Sequence, residues 1–230
     1  MSKRNKLEKF AELLAFPHVY ENFDAKDPQL VGQHGEEMDL KGKWNELHFQ
    51  NDHPITLELA CGRGEYTLQL ARKYPDRNFI GVDIKGARIW KGARIALEEG
   101  LDNVAFLRTR IEQIAYFFAP CEVQEIWITF PDPFPRKSKA NRRLPGPRFL
   151  KEYQKVLAPG GLVHLKTDDP GLYAFTLATL PECPAFELLY HDDDIYSRPL
   201  PIPELDFKTY YEKMHLRDGK KIKYVRMRLD

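Results

Sequence analysis

Hydrophobic positions recur with two different periods along this chain. Leu7, Phe10, Leu13 and Leu14 fall at helical spacing within residues 1–23, which predicts a basic arm leading into a short helix. Residues 24–53 are polar, contain glycine and hold no clear period, so they predict loop, with one short element around 44–49. From residue 55 the pattern becomes regular. An apolar, β-forming run at 55–60 closes on Gly62 and Gly64, and helical spacing follows over 65–73. A second strand is predicted at 78–84, then a helix at 87–99 with Gly100 as its C-cap. Residues 104–107 predict a third strand and 111–118 a helix. Residues 125–130 predict a fourth strand, stopped by Pro131. A helix over 149–157 ends at Pro159-Gly160-Gly161, before a fifth strand at 162–167. A helix at 172–180, a strand at 186–191, a Pro-rich loop and a short helix at 207–213 complete the series. The final stretch, 223–229, alternates polar and apolar residues as an antiparallel strand with one wet face would.

Seven strands alternating with helices predict an α/β protein built of βαβ units. The sheet should be mostly parallel and seven-stranded, with helices on both faces and an antiparallel last strand. The length of 230 residues suits one large α/β domain. The expected organisation is therefore an arm, short helix and loop over 1–50 and a single domain over 51–230. Ligands of such sheets sit beyond the carboxyl ends of the strands, which directs attention to the residues there.

Composition narrows the reading. Hydrophobic residues make up 43%, enough for a core, which excludes a disordered chain. Lys and Arg number 35 against 34 Asp and Glu, a net charge of +1, so attraction to a polyanion must come from a local patch. Cys61, Cys121 and Cys183 lie far apart with no C-x-x-C pair. That spacing argues against a disulfide framework or a zinc site and for a reducing, cytoplasmic setting. The histidines show no metal-ligand spacing, so no metal is expected. The start, MSKRNKLEKF, has no long apolar run, so neither a signal peptide nor a membrane span is expected.

Several strand ends carry candidate chemistry. Gly62 and Gly64, between a strand and a helix, let a ligand approach the backbone and meet helix N-terminal amides. Thr67 stands where a dinucleotide fingerprint needs glycine, which counts against a nicotinamide cofactor. Glu58, just before that turn, suits the positively charged amino group of a bound ligand; it could equally serve the helix dipole. Asp83 at the second strand end suits two ribose hydroxyls, or a strand-end cap. Arg110 and Ile111 close the third strand, where their backbone groups can read the edge of a base.

The fourth strand delivers Phe130-Pro131-Asp132-Pro133-Phe134-Pro135. Two prolines hold one carboxylate on a stiff backbone. Five cations follow among the eight residues Arg136-Lys137-Ser138-Lys139-Ala140-Asn141-Arg142-Arg143. Such a run is either a solvated loop or a grip on phosphates. Lys3, Arg4 and Lys6 can add to it. Asp168, at the fifth strand end, is open to two uses, substrate contact or N-cap of the next helix. Thr209-Tyr210-Tyr211-Glu212 opens or lies within a short helix. His164, inside a predicted strand, reads as structural.

These segments together resemble the bacterial tRNA (guanine-N7-)-methyltransferases, class I S-adenosylmethionine-dependent enzymes of Rossmann-like fold that methylate the variable-loop guanine at tRNA position 46. The resemblance covers roughly residues 55–229. It rests on LELACGRGEYTLQLA, FIGVDIKGAR, FPDPFPRKSKANRRL, LAPGGLVHLKTDD and TYYEK; the FPDP segment with its basic tail is the specific part. It implies S-adenosylmethionine as cofactor, held by Glu58, Gly62, Gly64, Asp83 and residues 110 and 111. Asp132 would be the catalytic carboxylate and would also touch the cofactor. It further implies Arg136, Asp168 and Thr209 to Glu212 at the substrate, Ser138 to Arg143 on the RNA, and tRNA as the partner of a monomer or homodimer. Ala60, Arg110, Phe134 and Arg136 depart from the residues common there, which are Gly, Asp, Trp and Lys. A methyltransferase acting on protein or small molecules would share the cofactor residues but would not need the basic run. A non-catalytic RNA-binding subunit would not need to keep Glu58 and Asp132.

Overall fold

The computed structural model describes residues 6–230, with side chains from Glu8 onward. Lys3, Arg4 and the side chains of Lys6 and Leu7 therefore lie outside the described residues. The chain divides into two compact units, residues 1–119 and 120–230.

In the first unit, α1 (Lys6–Leu13) is followed by three short strands, β1 (Val19–Glu21), β2 (Leu30–Val31) and β3 (Glu37–Met38), and a π-helical turn at Trp44–Phe49. Then come β4 (Ile55–Leu59), α2 (Glu65–Lys73), β5 (Asn78–Asp83), α3 (Gly86–Glu99), β6 (Val104–Arg108) and α4 (Ile114–Phe117). The strand order is β3-β2-β1-β6-β5-β4. β4, β5, β6 and β1 run parallel, while β2 and β3 are antiparallel additions. Leu57, Leu59, Ile80, Val82 and Phe106 are fully buried in the sheet; Phe106 faces α3 at Gly92, and α3 buries Ile89, Ala93 and Ala96. The turn at 44–49 is pinned by Trp44, whose indole N–H donates to the Phe117 carbonyl at 2.8 Å.

Three features depart from the sequence expectation. β1, β2 and β3 lie within segments read as arm and loop: strands of two or three residues are too short to show alternation, and pairing creates them. β1 gains its ladder from β6 (Val19 opposite Phe106). The helix expected over 111–118 is a 3₁₀ turn, Ile111–Gln113, running into the four residues of α4.

The second unit holds β7 (Val123–Thr129), α5 (Pro147–Tyr153), β8 (Leu157–Thr167), α6 (Pro170–Thr179), β9 (Phe186–Asp192), α7 (Tyr210–Arg217) and β10 (Lys223–Leu229). Strand order is β7-β8-β10-β9. β7 and β8 are parallel, and β10 runs antiparallel to both β8 and β9, as expected. The wet face expected from its alternation is not there, because β10 lies between two strands and of its seven residues Arg228 alone is exposed. The third departure is here. The helix expected over 149–157 stops at Tyr153, and Pro159-Gly160-Gly161 lies inside β8, where the β7 register shifts between Val123 and Glu125. The irregularity absorbs residues that would break an ordinary ladder. His164 is buried, stacks on Trp127 with ring centroids 4.0 Å apart, and shares a 2.6 Å hydrogen bond with the Tyr224 hydroxyl. Among the described residues, no helix is long and apolar enough to cross a membrane.

Candidate active site

In the first unit, the turn from β4 into α2 is built on left-handed backbone. Ala60 (φ 58°), Gly62 (φ 58°) and Gly64 (φ 65°) all lie there. The two glycines serve different ends. A Cβ on Gly64 would fall 2.6 Å from the Phe106 ring, so that position must stay bare for the turn to pack. A Cβ on Gly62 would meet nothing within 4 Å, so this face of the loop is open to a ligand.

Glu58 is buried, and its Oε2 accepts from both the amide (2.8 Å) and the hydroxyl (2.5 Å) of Thr67. Thr67 thus does more than break a dinucleotide fingerprint: it fixes the Glu58 carboxylate at the start of α2. Asp83 ends β5. Its Oδ2 accepts from the Gly62 amide at 2.9 Å and its Oδ1 from the Lys85 amide at 2.8 Å, which ties the glycine turn to the second strand. Each oxygen retains a second lone pair. Arg110 is exposed and Ile111 half-buried at the 3₁₀ turn after β6. Beside them lies a groove of about 210 Å³ lined by Asn22, Ile84, Thr109, Arg110 and Gln113. The Asn22 amide nitrogen donates to Thr109 and Gln113, while its Oδ1 is buried with no partner. Asn22 follows a strand that the sequence pattern does not show, so nothing in the sequence pointed to it. Cys61 is buried, and burial pushes its thiol well above the usual range, which removes it as a nucleophile.

In the second unit, the Phe130–Pro135 segment follows β7. Phe130 (φ 49°) and Phe134 (φ 44°) are both left-handed, although each is a bulky residue preceding proline. Such backbone costs about 1–3 kcal/mol per residue and persists only where surroundings enforce it. Arg143 does much of the enforcing. Its guanidinium donates to the carbonyls of Pro133 (3.1 Å) and Phe134 (3.0 and 3.2 Å) and sits over the Phe175 ring at 4.4 Å. The Phe130 amide donates to the Lys166 carbonyl at 2.8 Å. Between these anchors Asp132 is exposed, and its carboxylate has no hydrogen-bond or ion-pair partner among the described residues. The following cations divide. Arg136, Lys137, Lys139 and Arg142 face solvent on a 3₁₀ segment with Ser138 and Asn141, Ala140 is half-buried, and Arg143 alone turns inward.

Asp169 rather than Asp168 caps the next helix, accepting from the Leu172 amide at 2.6 Å. Asp168 instead pairs with Lys220 at 2.6 Å, with His215 at 3.6 Å. Thr209 caps α7 through the Glu212 amide, so this helix starts three residues later than the sequence pattern predicts. Tyr210 and Tyr211 are exposed side by side, ring centroids 5.7 Å apart. Glu212 points the other way and is fully buried. Its Oε1 meets the equally buried Lys166 ammonium at 2.8 Å and the Tyr196 hydroxyl at 2.6 Å, while its Oε2 has no partner. Lys166 also donates to the carbonyls of Leu205 and Phe207, and burial pushes its pKa down to about 8. Lys166 and Tyr196 escaped the sequence reading. A lysine at the end of an apolar strand carried the only signal, and its partners are 30 and 46 residues away in the chain.

A sequence family described as putative methyltransferases matches residues 52–225. A tRNA (guanine-N(7)-)-methyltransferase of Christiangramia forsetii is 48% identical over 230 residues, covering all of both chains. One from Porphyromonas gingivalis is 50% identical over 214 residues, covering 91% of this chain and 84% of that protein. The chain belongs to this methyltransferase family. Among solved structures, the 16S rRNA methyltransferase KamB superposes with a TM-score of 0.65 at 16% identity, covering 88% of this chain and 99% of that one. That likeness speaks to fold alone, and the fold is the Rossmann-like one of class I methyltransferases. S-adenosylmethionine is the methyl donor of this family and fold. The first unit fits it: an open glycine turn, carboxylates at the ends of β4 and β5, and a groove whose bordering Asn22 keeps a buried oxygen without a donor.

Proposed function

We propose that the protein transfers the methyl group of S-adenosylmethionine to N7 of a guanine in tRNA, the variable-loop guanine at position 46, in the cytoplasm. The observation that carries the mechanism is Asp132: a partnerless carboxylate on a strained turn, followed directly by four solvent-facing cations. When bound, the cofactor supplies an electrophilic methyl on a sulfonium. Glu58 would receive the donor's amino group and Asp83 its ribose hydroxyls. Gly62 leaves room for the donor, Gly64 lets the turn pack on Phe106, and Arg110 and Ile111 border the donor's base. Guanine N7 attacks with a lone pair and has no proton to lose, so positioning dominates the chemistry. Asp132 then orients the guanine through its N–H edge and offsets the positive charge that develops on the ring. Arg136, Asp168, Tyr210 and Tyr211 would flank the base, the two tyrosines as exposed stacking faces, while Thr209 and Glu212 hold the start of the helix that carries them. Ser138 to Arg142 would follow the RNA backbone. Arg143 supports them from behind, holding the turn.

The experiment is methylation of unmodified tRNA with methyl-labelled donor, followed by cleavage at 7-methylguanosine to map the product. Label at N7 of one variable-loop guanine is expected. Label on another atom, or none in tRNA, would overturn the reading.

A further inference from the structure

The charge along α3 is divided in a way that its own stability does not explain. Toward its C-terminal end, Arg94 pairs with Glu98 at 2.6 Å and Glu99 with Arg72 at 2.7 Å. At the other end, Lys85 is the N-cap and Arg88 and Lys91 follow at intervals of three, which keeps all three on one side of the helix. All are exposed, and none has an ion-pair partner among the described residues. The first turn of α3 contains no acidic residue. Cations at the N-cap and in the first turn, the positive end of the helix dipole, are unfavourable, so stability selects against Lys85 and Arg88 there.

Arg63 extends the group. Gly92 lets the glycine turn lie directly on α3, since a Cβ there would fall 2.5 Å from the Arg63 carbonyl oxygen. The exposed Arg63, also without a partner among the described residues, thus stands on a turn that contacts α3 directly. The face is held still from below. Trp90 donates to Glu12 on α1 at 2.7 Å, with Lys9 and Arg94 over its ring. Four cations uncompensated among the described residues, in a chain of net charge +1, make a local positive field.

We infer that Arg63, Lys85, Arg88 and Lys91 form a second RNA-backbone contact, separate in sequence from the 136–142 segment, taking phosphates without reading bases. The inference rests on the proposed tRNA reading and extends it. Each phosphate contact made by a cation contributes roughly 0.7–0.9 to the slope of log affinity against log salt. The test is tRNA binding by fluorescence anisotropy across a salt series, for wild type, the double variant R88Q/K91Q, and R94Q as a single-charge control from the balanced end. The double variant should shift the slope by about 1.5 and weaken binding about tenfold or more near 0.1 M salt. R94Q should track wild type, and donor affinity by calorimetry should be equal in all three. An unchanged slope in R88Q/K91Q, or an equal change in R94Q, overturns the inference while leaving the tRNA reading intact. A wild type that binds tRNA no better than an unrelated polyanion removes the reading beneath it.

Discussion

At the scale of single residues, the arrangement separates carboxylates that are held from one that is free. Glu58 and Asp83 have their oxygens engaged by Thr67, Gly62 and Lys85, which fixes their direction before a ligand arrives. Asp132 has no such engagement; its position comes from backbone, through two prolines, two left-handed aromatic residues and the Arg143 clamp. The carboxylate therefore stands ready without being spent on structure. Asp132→Asn preserves size and removes charge. It should lower turnover on tRNA by about 10²-fold or more, while calorimetric affinity for the donor and the melting temperature stay near wild type. Turnover within a fewfold of wild type would show that charge at this position does not matter.

At the scale of elements, the link between β8 and α7 is a buried ion pair. Lys166 brings three donors and meets three acceptors: Glu212 Oε1 and the carbonyls of Leu205 and Phe207. The pair fixes where α7 begins and therefore where Tyr210 and Tyr211 stand. Removing one partner of such a pair strands the other charge, whereas removing both is far milder. Lys166→Met should destabilise the protein by about 3–5 kcal/mol in denaturant melts. Adding Glu212→Leu to it should recover much of that loss, while tRNA affinity stays impaired in both variants. If the two substitutions add instead of compensating, the two groups are not coupled.

The elements also show what local pattern can reveal. The runs at 65–73 and 78–84 declare α2 and β5 because the apolar pattern and burial coincide there, whereas 223–229 shows a strand whose alternation is overridden by burial between β8 and β9. β1 to β3 were illegible because pairing, a non-local event, is all that makes two or three residues a strand. The 149–157 run misled because Pro159-Gly160-Gly161 reads as a helix stop; whether glycines end an element or bulge within it depends on the neighbouring strand.

At the scale of the whole molecule, pH enters through a half-buried histidine. Burial, with a smaller contribution from His18, pushes His48 down to about 4 from the ordinary 6.5. Between those values the unfolded chain takes up a proton that the folded one excludes. The stability concerned is fully present above pH 6.5 and is lost as pH falls toward 4, amounting to about 3 kcal/mol. Chemical denaturation at pH 7 and pH 4.5 should show this loss, and His48→Gln should flatten it. A variant as acid-sensitive as wild type would place the loss elsewhere.

By itself the sequence determined the order of strands and helices from residue 55 onward, the glycine turn, and the positions of Glu58, Asp83, Asp132 and Asp168 at or just beyond strand ends, because period, turn chemistry and chain order are local properties. The structure decided which of the prominent residues face outward. Arg143 left the basic run to hold the turn, Asp169 took the capping role open to Asp168, Glu212 went into the core with Lys166, and Arg88 and Lys91 were left without counterions among the described residues. Each outcome depends on a partner distant in the chain, and composition and spacing cannot say which charges will meet.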